Sequence, residues 1–205
     1  KATAVGAPLF FAEEIRYVTD WQYQHHQLTV EVSRHNEHQV YQLDLTGIYQ
    51  TKNLLTVLEA VNQLQLKGWH IDTPVIQKAL QHVKKLTGLH GRWEIIRHDP
   101  VVVLDVGHNI DGIRQIREQL ELSDYKHLHI VIGMVKDKEI DKVLALLPPL
   151  ATYYFTQAKL PRALDATELR RHAAQYKLQG NAYADVNHAV QTALAHAGKD
   201  DMILI

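Results

Sequence analysis

The run GRWEIIRHDPVVVLDVGHN, from Gly91 to Asn109, joins a guanidinium beside a glycine, a short apolar segment and a polar turn. Val101, Val102, Val103 and Leu104 make up the apolar segment, which Pro100 and Gly107 bound. Such a run suits a strand buried on both faces of a parallel sheet. Asp105 stands where that strand ends. In open α/β sheets the ligand crevice lies outside the carboxyl ends of the strands, so Asp105, Val106, Gly107, His108 and Asn109 occupy the position where ligands bind. Their chemistry suits phosphate and ribose.

Downstream of this run, apolar segments of strand length at 129–132, 153–155, 182–184 and 202–205 alternate with helical patterns at 110–120, 138–147, 167–176 and 187–197. The alternation predicts βαβ units. An α/β, Rossmann-like domain over residues 90–205, with a mostly parallel sheet and flanking helices, is the expected architecture. Upstream, residues 1–89 read differently. Strands are expected at 7–11, 27–32 and 40–45, as the edge of a larger sheet. Leu54, Leu55, Leu58, Val61 and Leu64 then recur at helical spacing until Gly68. A second helix follows, with Thr73 as N-cap, Pro74 at its first position, and Val75, Ile76, Leu80, Val83 and Leu86 as its stripe before Gly88.

The side chains on this frame suggest their own chemistry. Arg92 is always charged and presents a planar fork of donors that matches paired phosphate oxygens; as a lone arginine it would otherwise form a surface ion pair. Asp105 can accept two hydrogen bonds from a ribose diol, or stabilise its own turn. Asn109 is the better helix cap, which leaves Asp105 for ligand. His108, beside a helix start, can donate to a phosphate oxygen. Asn53 offers one donor and one acceptor near another helix start, fit for an adenine edge or a phosphate. Lys136, Asp137 and Lys138 sit between a strand and a helix, with Asp137 as the expected cap. The pairs His25/His26, His35/His38 and His127/His129 lack the frame of a zinc site, so no metal is assigned to them.

Composition narrows the partners. The chain has 205 residues, 46% hydrophobic and 22% charged, enough for one or two domains. A net charge of −1 provides no basic field for nucleic acid or anionic membrane. The absence of cysteine excludes disulfides and thiolate metal sites and fits a reducing, cytoplasmic setting. No apolar run is long enough to span a bilayer. The opening at Lys1 and the strand that ends at Ile205 read as an internal piece of a longer protein.

Gly91 to Asn109 resembles the segment joining the ATP-binding and C-terminal domains in folylpolyglutamate and dihydrofolate synthases, members of the Mur ligase superfamily. The stretch from Asp44 to Asn53 is similar to that family's Gly-x-His-Gln-x-x-Asn motif, Met134 to Lys138 to its Lys-Asp-Lys turn, and Pro161-Arg162-Ala163 to a further turn. Tyr49 stands where the family usually has histidine, and Gly107 where it usually has alanine. The resemblance implies that residues 1–89 are the tail of an ATP-binding domain and 90–205 a Rossmann-like ligase domain. It assigns Asn53, Arg92, Asp105 and His108 to ATP, and Lys136 and Arg162 to an anionic amino-acid substrate.

The implied reaction is ATP-dependent ligation of L-glutamate to folate or dihydropteroate through an acyl phosphate, by a monomer. The phosphate loop and the magnesium ligands are expected upstream, so the chain alone is expected to be inactive. A Mur-type ligase of cell-wall precursors and a non-catalytic nucleotide-binding module are the alternatives.

Overall fold

The computed structural model describes residues 2–24, 27–35, 37–136 and 139–205. The chain divides into two compact units, Lys1–Leu89 and His90–Ile205.

In the first unit a short helix α1 (Ala12–Ile15) precedes strands β1 (Tyr17–Gln24), β2 (Gln27–Arg34) and β3 (Glu37–Leu43), which form an antiparallel sheet in that order. The strand expected at 7–11 is absent: Phe11 serves instead as the N-cap of α1. The edge position is taken by β1, whose residues are nearly all exposed, so its burial pattern lacks the alternation that marks β2. Helix α2 (Gln50–Leu66) lays Leu54, Leu55 and Leu58 on Leu28, Val30, Val32, Tyr41 and Leu43, and this is the core of the unit.

The second expected helix is divided into α3 (Thr73–Leu80) and α4 (Val83–Thr87). Asp72, not Thr73, is the N-cap, and Pro74 lies inside the first turn. The break follows from Asp44, whose carboxylate accepts the Lys84 N–H at 3.0 Å and starts a new helix there. Helix α4 ends on Gly88 at φ 67°, a left-handed cap favourable to glycine.

The second unit holds β4 (Glu94–His98), β5 (Val101–Leu104), α5 (Ile110–Glu121), β6 (Leu128–Ile132), α6 (Ile140–Leu144), β7 (Thr152–Phe155), α7 (Ala166–Ala174), β8 (Gln179–Ala182), α8 (Val186–His196) and β9 (Met202–Leu204). Its six-stranded sheet runs β4-β5-β9-β6-β7-β8, parallel throughout except for β4, which pairs antiparallel with β5. The expected α/β, mostly parallel architecture is therefore the observed one. Strands β6, β7 and β9 are buried almost along their whole length, as double coverage by helices demands. Ala189 and Ala193 of α8 bring that helix close against Val102, Val131, Tyr154 and Ile203.

Three local expectations in this unit need correction. The edge strand β4 was not expected, because it has no buried residue and no apolar–polar alternation. The edge strand β8 begins at Gln179, three residues before the expected position, since backbone pairing to β7 and not apolar alternation defines it. Helix α6 ends at Leu144, short of the expected 147, before Pro148 and Pro149. Asp137 and Lys138, the expected cap and helix start, lie outside the described residues, as do His25 and His26.

Candidate functional site

Asp105 follows the last residue of β5 and closes a corner between two segments. Its Oδ1 accepts the Gly107 N–H at 2.8 Å and its Oδ2 the Trp93 N–H at 2.8 Å. A carboxylate accepting two backbone donors fixes their spacing more strongly than a neutral acceptor does. The Gly91 carbonyl accepts the Val106 N–H at 3.0 Å and the Arg92 Nη1 at 3.1 Å, and the Gly91 N–H donates to Glu94 Oε2 at 2.9 Å. Gly91 has φ 71°, and a Cβ there would stand 2.7 Å from Val106 Cγ1, so the close approach of the two segments requires glycine.

Asn109 caps α5, accepting the Gly112 N–H at 2.7 Å, as expected. Asp105 is nonetheless not left to a ligand alone, because both its oxygens already hold the corner. His108 is exposed, with Nδ1 3.0 Å from the Val106 carbonyl; that contact makes Nδ1 the donor and leaves Nε2 as the outward atom.

The corner forms one wall of a cavity of about 460 Å³. Asp105, Gly133, Thr156 and Ile205 line it, and each directly follows the end of a parallel strand: β5, β6, β7 and β9. This is the crevice outside the carboxyl ends of an α/β sheet. Here the short β9, inserted between β5 and β6, separates the two halves of the sheet. His108 and Arg162 also line the cavity, and apolar side chains such as Ile113, Val131 and Val143 fill most of its wall.

The loops after β6 and β7 are tied together. The Lys136 N–H donates to the Arg162 carbonyl at 3.0 Å, the Leu164 N–H to the Met134 carbonyl at 2.8 Å, and Val135 bridges to Ala163. Lys136 and Arg162, 26 positions apart in sequence by their numbers, thus become neighbours with exposed side chains. Arg92, Asp105, His108, Lys136 and Arg162 all belong to the second unit; Asn53 belongs to the first, in the opening turns of α2, where its Nδ2 donates to Gln50 Oε1 at 3.0 Å.

Thr156 escaped the sequence reading. It is 2% exposed, and its Oγ1 is buried without a hydrogen-bond partner among the described residues. Gly133 also escaped it, although a Cβ there would come within 2.9 Å of the Thr156 carbonyl. Both lie one residue past an apolar strand, the same signal that singled out Asp105. Among the described residues no group of three or more His, Cys, Asp or Glu could hold a metal ion.

Comparison with known proteins gives a consistent picture. The family described as Mur ligase, glutamate ligase domain matches residues 91–205. A Haloferax volcanii protein named probable bifunctional folylpolyglutamate synthase/dihydropteroate synthase is 29% identical over 184 residues, covering 88% of this chain and 21% of that protein. The structure of Mycobacterium tuberculosis folylpolyglutamate synthase complexed with ADP and AMPPCP superposes with a TM-score of 0.82 at 21% identity, covering 99% of this chain and 48% of the other. A bifunctional folylpolyglutamate synthase/dihydrofolate synthase with Mn, AMPPNP and L-glutamate bound gives a TM-score of 0.72 at 21% identity, covering 100% and 46%. The chain spans less than half the length of each of these proteins.

Proposed function

Because the chain belongs to the Mur ligase family by its glutamate ligase domain, we propose that it is the distal part of an ATP-dependent ligase that joins L-glutamate to a folate-type acid. The observation that carries this reading is the cavity at the carboxyl ends of β5, β6, β7 and β9, which combines a basic rim with an apolar wall and one unpartnered hydroxyl. An amino acid with a second carboxylate needs cationic partners for its acid groups and a polar contact for its amine. Arg162 and Lys136 supply the first, and Thr156 Oγ1, an acceptor with no partner of its own, supplies the second.

The nucleotide fits the corner at Gly91 to His108. Arg92 would meet phosphate oxygens with its fork, held in place by the Gly91 carbonyl. His108, whose Nδ1–H is held by the Val106 carbonyl, would accept at Nε2 from a nucleotide hydroxyl and not donate to a phosphate, and Asp105 would meet a ribose diol while it holds the turn. When bound, ATP would supply the phosphoryl group that activates the acid as an acyl phosphate, with the help of a divalent metal. This chain's own contribution is to bind, orient and exclude water, all of which lower the barrier without a group here taking part in bond making.

Activity of the complete polypeptide tests this reading. ADP formation that requires both L-glutamate and a folate or dihydropteroate acceptor is the expected result, with none from the 205-residue chain alone. ADP formation driven equally by other amino acids, or by no acceptor, would refute it.

A further inference from the structure

The first unit encloses a second cavity, of about 200 Å³, between β2 and β3 on one side and α2 and α3 on the other. Its walls are polar, and two arginines, Arg16 and Arg34, line it. Arg16 is 7% exposed, and its Nη2 donates to Glu59 Oε2 at 2.9 Å. Glu59 is itself buried and accepts Asn62 Nδ2 at 3.1 Å and Gln63 Nε2 at 2.7 Å. Burial pushes the Glu59 carboxyl up, but its hydrogen bonds with Gln63, Asn62 and Arg16 outweigh that and hold it below the usual range. The Glu59 carboxylate is therefore fully used within this network and neutralises Arg16.

Arg34 is left with the surplus charge. Its Nη1 donates to Asn62 Oδ1 at 3.3 Å, a neutral acceptor. Glu37, opposite Arg34 in the β2–β3 pairing, also lines the cavity, but it is exposed and makes no ion pair with Arg34 among the described residues. Both guanidinium groups also keep a buried Nε–H with no hydrogen-bond partner among the described residues. Buried donors are nearly always satisfied, so two orphans on one cavity require a cause. The cavity exceeds the ~30 Å³ share of a single water several-fold. A guanidinium edge is shaped for an anion with paired oxygens, and a ligand of one negative charge would balance Arg34.

We propose that this cavity is a binding site for a small oxyanion, a phosphate or a carboxylate, held by the Nε–H groups of Arg16 and Arg34. It is built wholly from the first unit and is independent of the ligase cavity in the second.

The test is an NMR titration of the 205-residue chain that follows the arginine Nε–H signals as inorganic phosphate is added at constant ionic strength, with acetate in a parallel series. Saturable shifts of the Arg16 and Arg34 signals are expected, and whichever anion saturates at lower concentration identifies the source. Arg34→Lys keeps the charge but removes the fork, and should weaken binding at least tenfold, about the loss of one charge-assisted hydrogen bond. Signals of Arg16 and Arg34 that move only linearly, or no more than those of exposed arginines, would overturn the proposal without recourse to any variant. Unchanged affinity in a folded Arg34→Lys chain would also overturn it.

Discussion

Asp105 shows how one side chain serves the scaffold before it serves a ligand. Its two oxygens hold Trp93 and Gly107 by backbone donors. Replacing it by alanine leaves both amides without their acceptor, and a loss of about 2–3 kcal/mol in stability is expected from urea denaturation. Two glycines give a sharper contrast. A Cβ at Gly107 would meet the end of the Ile116 side chain at 2.6 Å, an atom that can rotate away, and its φ is not in the left-handed region. Gly107→Ala, the residue usual in the resembled family, should therefore cost under about 1 kcal/mol. At Gly180 the same Cβ would lie inside the Tyr153 carbonyl, a backbone atom that cannot yield. Gly180→Ala should cost about 3 kcal/mol or detach β8, seen as lost amide-exchange protection in that strand. The sequence made Asp105, Asn109 and Arg92 legible because each is a strong local signal beside a strand end. It concealed the double duty of Asp105, because Trp93 comes from the bend before β4. Thr156 is legible only after the strand-end rule is applied to every strand of the sheet.

At the scale of elements, β6, β7, α8 and the turn before β9 share a polar chain, buried at His129 and Tyr154 and open at His196. His129 Nε2 lies 3.4 Å from Asp201 Oδ2, His129 Nδ1 lies 3.0 Å from the Tyr154 hydroxyl, and that hydroxyl lies 3.1 Å from His196 Nδ1. The carboxylate fixes the tautomers: His129 donates to Asp201, Tyr154 donates to His129, and His196 donates to Tyr154. Burial pushes His129 below its ordinary pKa, opposed by the hydrogen bond to Asp201 and reinforced by His127, while Tyr154 is raised by burial to about 12. The unfolded chain protonates His129 near ~6.5, the folded chain only at lower pH, so this network stabilises the fold fully above that value and less as pH falls below it. Asp201, held below the usual carboxylate range first by the Gly198 N–H, loses its contribution only at still lower pH. The urea midpoint should drop between pH 7.5 and 5.5. The Tyr154→Phe variant, which strands His129 Nδ1, should be less stable by about 1–3 kcal/mol at the higher pH, measured in the same way. The strands that carry this chain were legible from their apolar runs. Its connectivity was not, because His129, Tyr154 and His196 meet only through the parallel pairing of β6 with β7 and the packing of α8. Edge strands β1, β4 and β8 were the hardest to read, since one free backbone edge and exposed side chains remove the alternation that identifies a strand.

At the scale of the whole molecule, two compact units each possess a core of their own. Residues 90–205 expressed alone should therefore unfold cooperatively, with a sigmoidal urea transition; a gradual, non-cooperative loss of circular dichroism would contradict this. The order of strands and helices in the second unit was readable nearly throughout, because central parallel strands are short apolar runs and α5, α7 and α8 each begin on an Asn or Asp cap. The fold opens a cavity at one end of the sheet, within the domain that matches the glutamate ligase family. The central claim is that the cavity beyond β5, β6, β7 and β9 holds the amino-acid substrate. Steady-state kinetics of the complete polypeptide with Arg162→Ala tests it most directly. The account predicts that the KM for L-glutamate rises at least tenfold, the loss of about 1.4 kcal/mol or more of binding, while the KM for ATP stays within twofold. An unchanged KM for L-glutamate, or an equal rise for both substrates, would contradict it.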